Sequence, residues 1–183
     1  MTRTPLLLAL PALVLPALVL PALVLPGMAS AQSPDLSPDG YFVTVDDGTG
    51  APRGLVELKT SPGGELEGFL RGTFVAGEDM SRTCVTCRDE LLDQPLYGLR
   101  IVYGLEPKSD RRKWKSGRVV DPESGDTYKA RVEYSDDFRE VELRGYIGTP
   151  LLGRSQTWRR ATEDELAAIE AANAAVGLPP LGD

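Results

Sequence analysis

The stretch that decides the fold runs from Lys113 to Arg160 and reads KWKSGRVVDPESGDTYKARVEYSDDFREVELRGYIGTPLLGRSQTWRR. It contains four segments of strand-like composition, separated by DPESGD, SDDFRE and GTPLLGR. Each separator carries Gly, Pro, Asp or Ser, the residues that turn a chain for identifiable backbone reasons. Successive hairpins of this kind form a meander, so the stretch predicts an antiparallel sheet.

The residues before this stretch have the same character, apart from one long irregular segment at residues 76–95. Gly68 and Gly72 fall inside one predicted strand, where glycines usually mark the bends that barrels need. The predicted strands are Tyr41–Val45, Leu55–Lys59, Leu66–Val75, Leu96–Leu105, Lys113–Val120, Thr127–Tyr134, Val141–Ile147 and Ser155–Arg160. Closing a sheet of that size removes its unpaired edges and leaves a narrow interior. We therefore predict an all-β fold, a small eight-stranded antiparallel meander barrel over residues 40–161.

A single helix is predicted to close the chain over residues 162–177, followed by a tail at residues 178–183. Thr162 is its N-cap, and Glu165 three residues later completes a capping box. Gly177 can adopt the left-handed conformation that ends a helix. An apolar stripe at helical spacing should lie against the outside of the barrel, and its members are Leu166, Ile169 and Val176.

The first residues of the chain predict a secretory signal. An apolar block at residues 6–26 contains PALVL three times, and the ASA at residues 29–31 is the small-x-small pattern that signal peptidase cuts. We predict a signal peptide over residues 1–31 with cleavage before Gln32, a flexible leader over residues 32–39, and a periplasmic or secreted location. A retained membrane anchor is the alternative. A proline at every fifth residue disfavours it, because each interior proline removes a helix hydrogen bond.

The composition limits the classes of partner and of chemistry. The sequence has 20 basic and 27 acidic side chains, a net charge of −7, which becomes −8 once Arg3 leaves with the signal peptide. Nucleic acid and anionic membranes demand clustered positive charge, so neither is expected as a main partner, and no stable membrane insertion is expected. The count of histidines is 0, which excludes Ser-His-Asp and Cys-His catalytic pairs and any imidazole metal site. No cofactor is predicted, and an enzymatic role is less favoured than a binding or structural one.

Three motifs carry a resemblance to a known family. They are Gly117-x-Val119-x-Asp121-Pro122-x-x-Gly125-x-Thr127-Tyr128, Arg144-Gly145-Tyr146-Ile147-Gly148 and Gly153-Arg154-x-Gln156-Thr157-Trp158. With Gly98-Leu99, the Cys84-x-x-Cys87 pair and the chain back to Gly40, they resemble a family of secreted bacterial proteins, the domain of unknown function number two-one-four-seven. The resemblance implies a lipocalin-type, calycin-like β-barrel of the periplasm, with no established activity.

The start of the first strand resembles the Gly-x-Trp that opens lipocalin barrels. Gly40-Tyr41-Phe42 has Phe42 where the indole would stand. In such barrels an arginine of the last strand packs across that ring, and Arg160 or Arg154 is expected to do so here through a cation–π contact.

Cys84-Val85-Thr86-Cys87 is the sharpest local signal. Export permits a disulfide, and a structural bridge that pins the long irregular segment is the favoured interpretation. Free or transient thiols, a redox-active pair and half of a metal site are the alternatives. A redox pair would need the helix N-terminus of a βαβ unit, and a metal would need carboxylates as its remaining ligands.

Two charged clusters each have a functional and a plain interpretation. Residues 121–126 hold three carboxylates, which suits calcium, but Asp121 and Gly125 are also what a turn requires, and the turn is favoured. Residues 108–118 carry six basic side chains around Trp114. Such a patch suits an anionic headgroup or a cell-wall polymer, although a solvated hairpin is favoured.

Alternation along the last strands gives the candidate ligand site. If Trp158 points inward, Arg154 and Gln156 share its side of the strand, and the same rule turns Tyr128 and Tyr134 inward. A buried Arg154 would need an acidic partner, backbone carbonyls, water or the anionic head of a ligand. Such inward polar groups belong either to a satisfied core network, which is favoured, or to contacts that orient a ligand. The candidate ligand-binding residues are Arg154, Gln156, Trp158, Tyr128 and Tyr134.

Two functional hypotheses follow. The first is a periplasmic lipocalin-like protein that binds a small apolar or amphipathic molecule in its barrel. The second is a structural or interaction protein of the cell envelope whose barrel is filled and takes no ligand. They differ in whether the barrel is hollow, and eight strands suit either outcome.

Overall fold

The computed structural model describes residues 37–182, so the predicted signal peptide and most of the predicted leader lie outside the described residues. The strands are β1 (Gly40–Val45), β2 (Pro52–Thr60), β3 (Leu66–Thr73), β4 (Arg100–Pro107), β5 (Lys113–Val120), β6 (Thr127–Tyr134), β7 (Glu140–Tyr146) and β8 (Gly153–Arg160). Helix α1 follows at Glu163–Ala175, and single 3₁₀ turns occur at Asp89–Leu91 and Pro150–Leu152.

The eight strands form a closed barrel in chain order. Each strand pairs antiparallel with the next, and β8 pairs with β1 through Phe42↔Arg160 and Val43↔Arg159. The predicted fold class is therefore confirmed. The largest boundary difference is at β4, which begins at Arg100 instead of Leu96. Gly98 takes a φ of +81°, which interrupts an extended chain at that point.

The alternation of buried and exposed residues identifies the inner face of the sheet. On β6, Ala130, Val132 and Tyr134 are buried, whereas the residues between them are exposed. The inward side chains of all strands meet in one apolar cluster that fills the barrel axis. Because the pleat alternates regularly, the same register fixes which residues of the neighbouring strands point inward.

An up-and-down barrel gathers its connections at two ends. One end, called the mouth here, holds the odd-numbered connections, at residues 46–51, 74–99, 121–126 and 147–152. The other, called the closed end, holds the turns at residues 61–65, 108–112 and 135–139, together with the entering chain at residues 37–39. This division positions every candidate functional residue.

Helix α1 packs on the outside of the barrel. Ile169 is 2% exposed and lies with Val43 and Leu55. Gly72 makes room for it, since a Cβ at Gly72 would lie 2.4 Å from the Ile169 side chain. The capping box is present, with the Thr162 hydroxyl accepting from the Glu165 amide at 3.3 Å.

The predicted apolar stripe of this helix is wrong at one position. Val176 is 42% exposed, because the helix ends at Ala175 and Val176 takes a non-helical cap conformation. The buried position is instead Asn173, whose side chain donates to the Arg71 carbonyl oxygen at 2.9 Å. Among residues 37–182, no helix has the length and apolar character needed to span a bilayer.

Candidate functional site

The closed end is built from aromatic side chains. The ring of Tyr134 lies 5.8 Å from that of Phe42, 5.5 Å from Trp114 and 5.4 Å from Phe138. Edge-to-face contacts of this kind add to the stabilisation that burial alone gives. The Tyr134 hydroxyl donates to the Pro38 carbonyl oxygen at 3.0 Å, and burial raises its pKa. This end of the interior is packed and has its polar groups satisfied.

Arg160 seals the same end. Its guanidinium carbon lies 4.8 Å from the Phe42 ring centroid, which confirms the expected stacking and assigns it to Arg160, not Arg154. The guanidinium also donates to the carbonyl oxygens of Ser37 at 2.7 Å, Asp39 at 3.1 Å and Phe138 at 3.2 Å. These bonds tie the entering chain and the β6–β7 turn to the last strand.

Two inward-facing glycines show that the barrel interior is full around them. A Cβ at Gly117 would lie 2.5 Å from the Leu105 side chain and 2.8 Å from the Tyr103 carbonyl oxygen. A Cβ at Gly68 would lie 2.9 Å from Val102. Contacts this short do not occur in folded proteins, so no added atom fits at either position.

The mouth is packed differently. Tyr128, Gly145 and Gln156 point inward from β6, β7 and β8, yet all are partly exposed, and the Arg154 side chain is 76% exposed. A Cβ at Gly145 would lie 3.5 Å from the Tyr128 Cβ and 3.6 Å from the Val119 side chain, which are ordinary contacts. A methyl group would therefore fit at Gly145 without displacing its neighbours.

A chain of hydrogen-bonded polar groups lies at the mouth, close to Gly145. The Trp158 indole donates to the Gln156 side-chain oxygen at 3.2 Å, and the Gln156 amide donates to the Asp47 carboxylate at 3.3 Å. The same carboxylate forms an ion pair with Arg154. Asp47 lies in the β1–β2 loop and was missed by the sequence analysis, although the acidic pair before GTG was a signal for a polar loop at this end.

Four of the five candidate ligand residues lie at the mouth or directly below it. Tyr128, Gln156 and Arg154 line the rim, and Trp158 is buried below them. Tyr134 does not belong to this group. It lies six residues further along β6, about 20 Å away at the rise of a strand, inside the aromatic cluster of the closed end. The hypothesis of a buried Arg154 guanidinium is also wrong, because Arg154 is near the start of β8 and reaches out of the barrel to Asp47.

The disulfide lies in the long β3–β4 segment at the mouth. Cys84 and Cys87 are bonded, as predicted, and both are buried at 2% and 3% exposure. The hydroxyl of Thr86, between them, donates to the Pro122 carbonyl oxygen at 2.6 Å. The Thr86 carbonyl oxygen approaches Gly125 so closely that a Cβ there would lie 1.7 Å from it. The bridged segment is thus fastened to the β5–β6 turn.

The acidic cluster at residues 121–126 forms a turn, and part of the basic cluster at residues 108–118 forms ion pairs. Asp121 accepts from the Glu123 amide at 2.9 Å and the Ser124 hydroxyl at 3.1 Å, so its carboxylate shapes the turn. Within residues 37–182, no group of three or more acidic or cysteine side chains is placed to hold a metal ion. In the basic hairpin, Lys113 pairs with Glu133 at 2.8 Å, and the Trp114 indole is buried and donates to the Gly64 carbonyl oxygen at 3.1 Å.

A closed eight-stranded meander with an arginine stacked on the first-strand aromatic ring defines the class: a lipocalin-like barrel. A family profile described as "Uncharacterized protein conserved in bacteria (DUF2147)" matches residues 40–160, and the chain belongs to this family. Among solved structures, the fold is similar to protein HP1028 from the human pathogen Helicobacter pylori, which belongs to the lipocalin family. The TM-score is 0.59 at 18% sequence identity, over 73% of this chain and 88% of that one, so the likeness shows the fold alone. No curated protein matches the chain.

Proposed function

We propose that this lipocalin-like protein binds a small amphipathic molecule at the mouth of its barrel and not along the barrel axis. The observation that carries the proposal is the difference between Gly145, where a methyl group has room, and Gly117, where it has none. A binding site needs unfilled space lined by apolar groups with a few polar groups that orient the ligand. We assign that role to the region around Gly145 on the inner face of the barrel.

The lining favours an amphipathic ligand. Val119 and the Tyr128 ring give the space apolar walls next to Gly145. Gln156 and the exposed guanidinium of Arg154 give it a polar rim. A short apolar body would contact the walls, and a carboxylate or another polar head at the rim would compete with Asp47 for Arg154. The packed interior below limits the ligand to a small size.

The test is to fill the space without touching the closed end. We expect the wild-type protein to bind a medium-chain fatty acid, measured by isothermal titration calorimetry. Gly145→Leu should weaken binding at least about tenfold because the added side chain occupies the site, and thermal unfolding of the variant checks that it still folds. Thr157→Leu is the matched control: it places the same side chain on the exposed outer face of β8 and should leave binding unchanged.

Two outcomes would contradict the proposal: a folded wild-type protein that binds no such probe, or Gly145→Leu binding as well as wild type. The first outcome would favour the second candidate function, an interaction protein of the cell envelope with a filled barrel. The observation that favours this candidate is the packed interior at Gly68 and Gly117, which leaves the barrel axis to side chains of the protein itself.

We also propose that the protein is exported. The small-x-small pattern at residues 29–31 and the Cys84–Cys87 disulfide support this, since disulfides persist in oxidising compartments. N-terminal sequencing of the protein from a periplasmic extract should begin at Gln32. A chain that keeps residues 6–26 and pellets with membranes would contradict export with cleavage.

A further inference from the structure

The outer face of β5, β6 and β7 carries cations opposite cations. In the sheet register, Arg118 faces Lys129, and Arg131 faces Arg144. Directly opposed side chains have Cβ atoms about 5 Å apart, and like charges at that distance destabilise a sheet. We call these four residues the basic face. The fold does not require this arrangement, which occurs in a protein with an excess of acidic side chains.

The basic face is not neutralised by the protein itself. Within residues 37–182, none of its four members forms an ion pair, whereas Arg53, Lys59, Arg71 and most other cations do. Acidic side chains are instead opposed to each other further along the same strands, at Glu133↔Glu142. On this face the four cations lie nearer the mouth and the two glutamates nearer the closed end, where Glu133 also pairs with Lys113 at 2.8 Å. The four cations thus form a local positive patch on the sheet, in a protein whose connections at the mouth carry mostly acidic side chains.

An exposed apolar loop lies next to the basic face. Ile147, Leu151 and Leu152 in the β7–β8 connection are 71%, 89% and 81% exposed, and we call them the apolar tip. Arg144 joins the two features, since its guanidinium donates to the Pro150 carbonyl oxygen at 2.8 Å and to the Ser155 hydroxyl at 3.0 Å. The tip is thus held at the mouth, beside the cations.

We infer that the basic face and the apolar tip together dock this side of the barrel on an anionic phospholipid surface. Cations near such a surface are attracted to its headgroups, and exposed apolar side chains enter the boundary between headgroups and acyl chains. An anionic polymer would use the cations and leave the tip without a role. A flat lipid surface uses both and demands no shape complementarity. The inference concerns the outside of the barrel and does not rest on the ligand site.

The test uses sedimentation of the protein with vesicles of phosphatidylcholine alone and of phosphatidylcholine with about one-third phosphatidylglycerol. We expect binding to the anionic vesicles, weakened by salt because exposed charges are screened. Lys129→Glu with Arg131→Glu should reduce that binding at least about tenfold, since each cation near an anionic surface contributes roughly fivefold in affinity. Leu151→Ser with Leu152→Ser should also reduce binding to the anionic vesicles. The binding that is left should still weaken as salt is added, because the cations are unchanged.

A matched control separates local from total charge. Lys108→Glu with Arg111→Glu makes the same change in net charge at the closed end, on exposed cations that form no ion pair within residues 37–182, and should alter vesicle binding less than about twofold. Folding is not at risk in the test variant. Lys129→Glu and Arg131→Glu place opposite charges across from Arg118 and Arg144, so the unfolding temperature should stay level or rise.

Three outcomes would overturn the inference. One is equal loss of binding in the control and test variants, which would assign the effect to net charge. Another is unchanged vesicle binding after the leucine substitutions, with equal binding to a soluble anionic polysaccharide, which would identify a polyanion as the partner. The third is a folded wild-type protein that does not sediment with anionic vesicles at low salt.

Discussion

Tyr134 and Tyr128 lie on the same inner face of β6, and their surroundings differ. Tyr134 is 1% exposed, contacts three aromatic rings and donates its hydroxyl to Pro38. Tyr128 is partly exposed and stands beside Gly145, where a methyl group would make only ordinary contacts. One strand thus contributes a packing residue at the closed end and a residue of the proposed site at the mouth.

The difference shows how this barrel divides stability and function between its ends. Close-packed aromatic side chains and satisfied hydrogen bonds make the closed end the part that resists unfolding. At the mouth Tyr128, Gly145 and Gln156 are only partly buried, and elements that bind ligands are usually drawn from less stable regions. The same substitution should therefore change stability more at the closed end than at the mouth.

The largest difference is expected between the two tyrosines. Tyr134→Ala should lower the free energy of unfolding by about 3–5 kcal/mol, because a large buried ring is lost. Tyr128→Ala should lower it by about 1 kcal/mol or less. Urea unfolding of both variants measures the difference, and similar losses at the two positions would show that the mouth is packed as tightly as the closed end.

The paired glycines probe the same contrast with one methyl group. Neither Gly117 nor Gly145 has a φ in the left-handed region, so only space is at issue. Gly117→Ala should destabilise the protein by up to about 3 kcal/mol, since the Cβ meets Leu105. Gly145→Ala should change stability by no more than about 0.5 kcal/mol. Thermal unfolding of the pair decides, and a tolerated alanine at 117 would mean that the interior has room after all.

Removing the disulfide should loosen the mouth alone. Cys84→Ser with Cys87→Ser should cost about 2 kcal/mol in the chain-entropy account of a short bridged loop. The local consequence is more informative than the total. Amide hydrogen exchange should accelerate in residues 76–99 and in the β5–β6 turn that Thr86 contacts, while β6 near Tyr134 keeps its protection. Uniform acceleration across the barrel would instead make the disulfide a support of both ends.

The smallest expected effect is on the pH dependence of stability, through the Arg159–Glu165 ion pair. Arg159, through hydrogen bonds of 2.8 Å and 2.5 Å, holds the pKa of Glu165 at about 2, below its ordinary value of 4.5. A carboxyl with a lowered folded-state pKa stabilises the fold fully above its unfolded pKa, and the contribution is lost as pH falls towards 2. Arg159 is partly solvated, so we expect Glu165→Gln to cost about 1 kcal/mol at neutral pH.

The measurement is the free energy of unfolding of Glu165→Gln and wild type between pH 7 and pH 2. The two curves should converge on acidification. Glu123→Gln is the control at the mouth, where the carboxylate is 69% exposed and pairs with Arg53, and it should cause little change. A constant offset between Glu165→Gln and wild type at every pH would contradict the ionic origin of the effect.

Local signals were sufficient to predict the sheet. The turn residues between strands, the capping box at Thr162 and the alternation on β6 each depend on a few neighbouring residues, and the structure has all three. The Arg160–Phe42 contact was predictable because it follows from the resemblance of the first strand to a known opening motif.

For the candidate site, the sequence predicted only which side chains share the inner face of the sheet. Alternation says that Tyr128 and Tyr134 point inward, but it does not say how deep each residue lies or what fills the space in front of it. The partner of Arg154 and Gln156 is Asp47, which is 109 residues from Gln156 in the chain. The basic face likewise exists only once the strand register places Arg131 opposite Arg144. Depth, distant partners and register are properties of the assembled barrel.

The join between β1 and β8 bears on the order in which the molecule assembles. Neighbouring strands are linked by single connections and can pair as local hairpins, whereas Arg160 reaches Asp39 across 121 residues of chain. Closing so long a loop is slow compared with forming a hairpin, so the sheet should exist as an open, curved ribbon before it becomes a barrel. A chain that emerges N-terminus first cannot complete that closure until its last strand is free. Within the barrel, the residue that completes the closure is therefore the last to be synthesised.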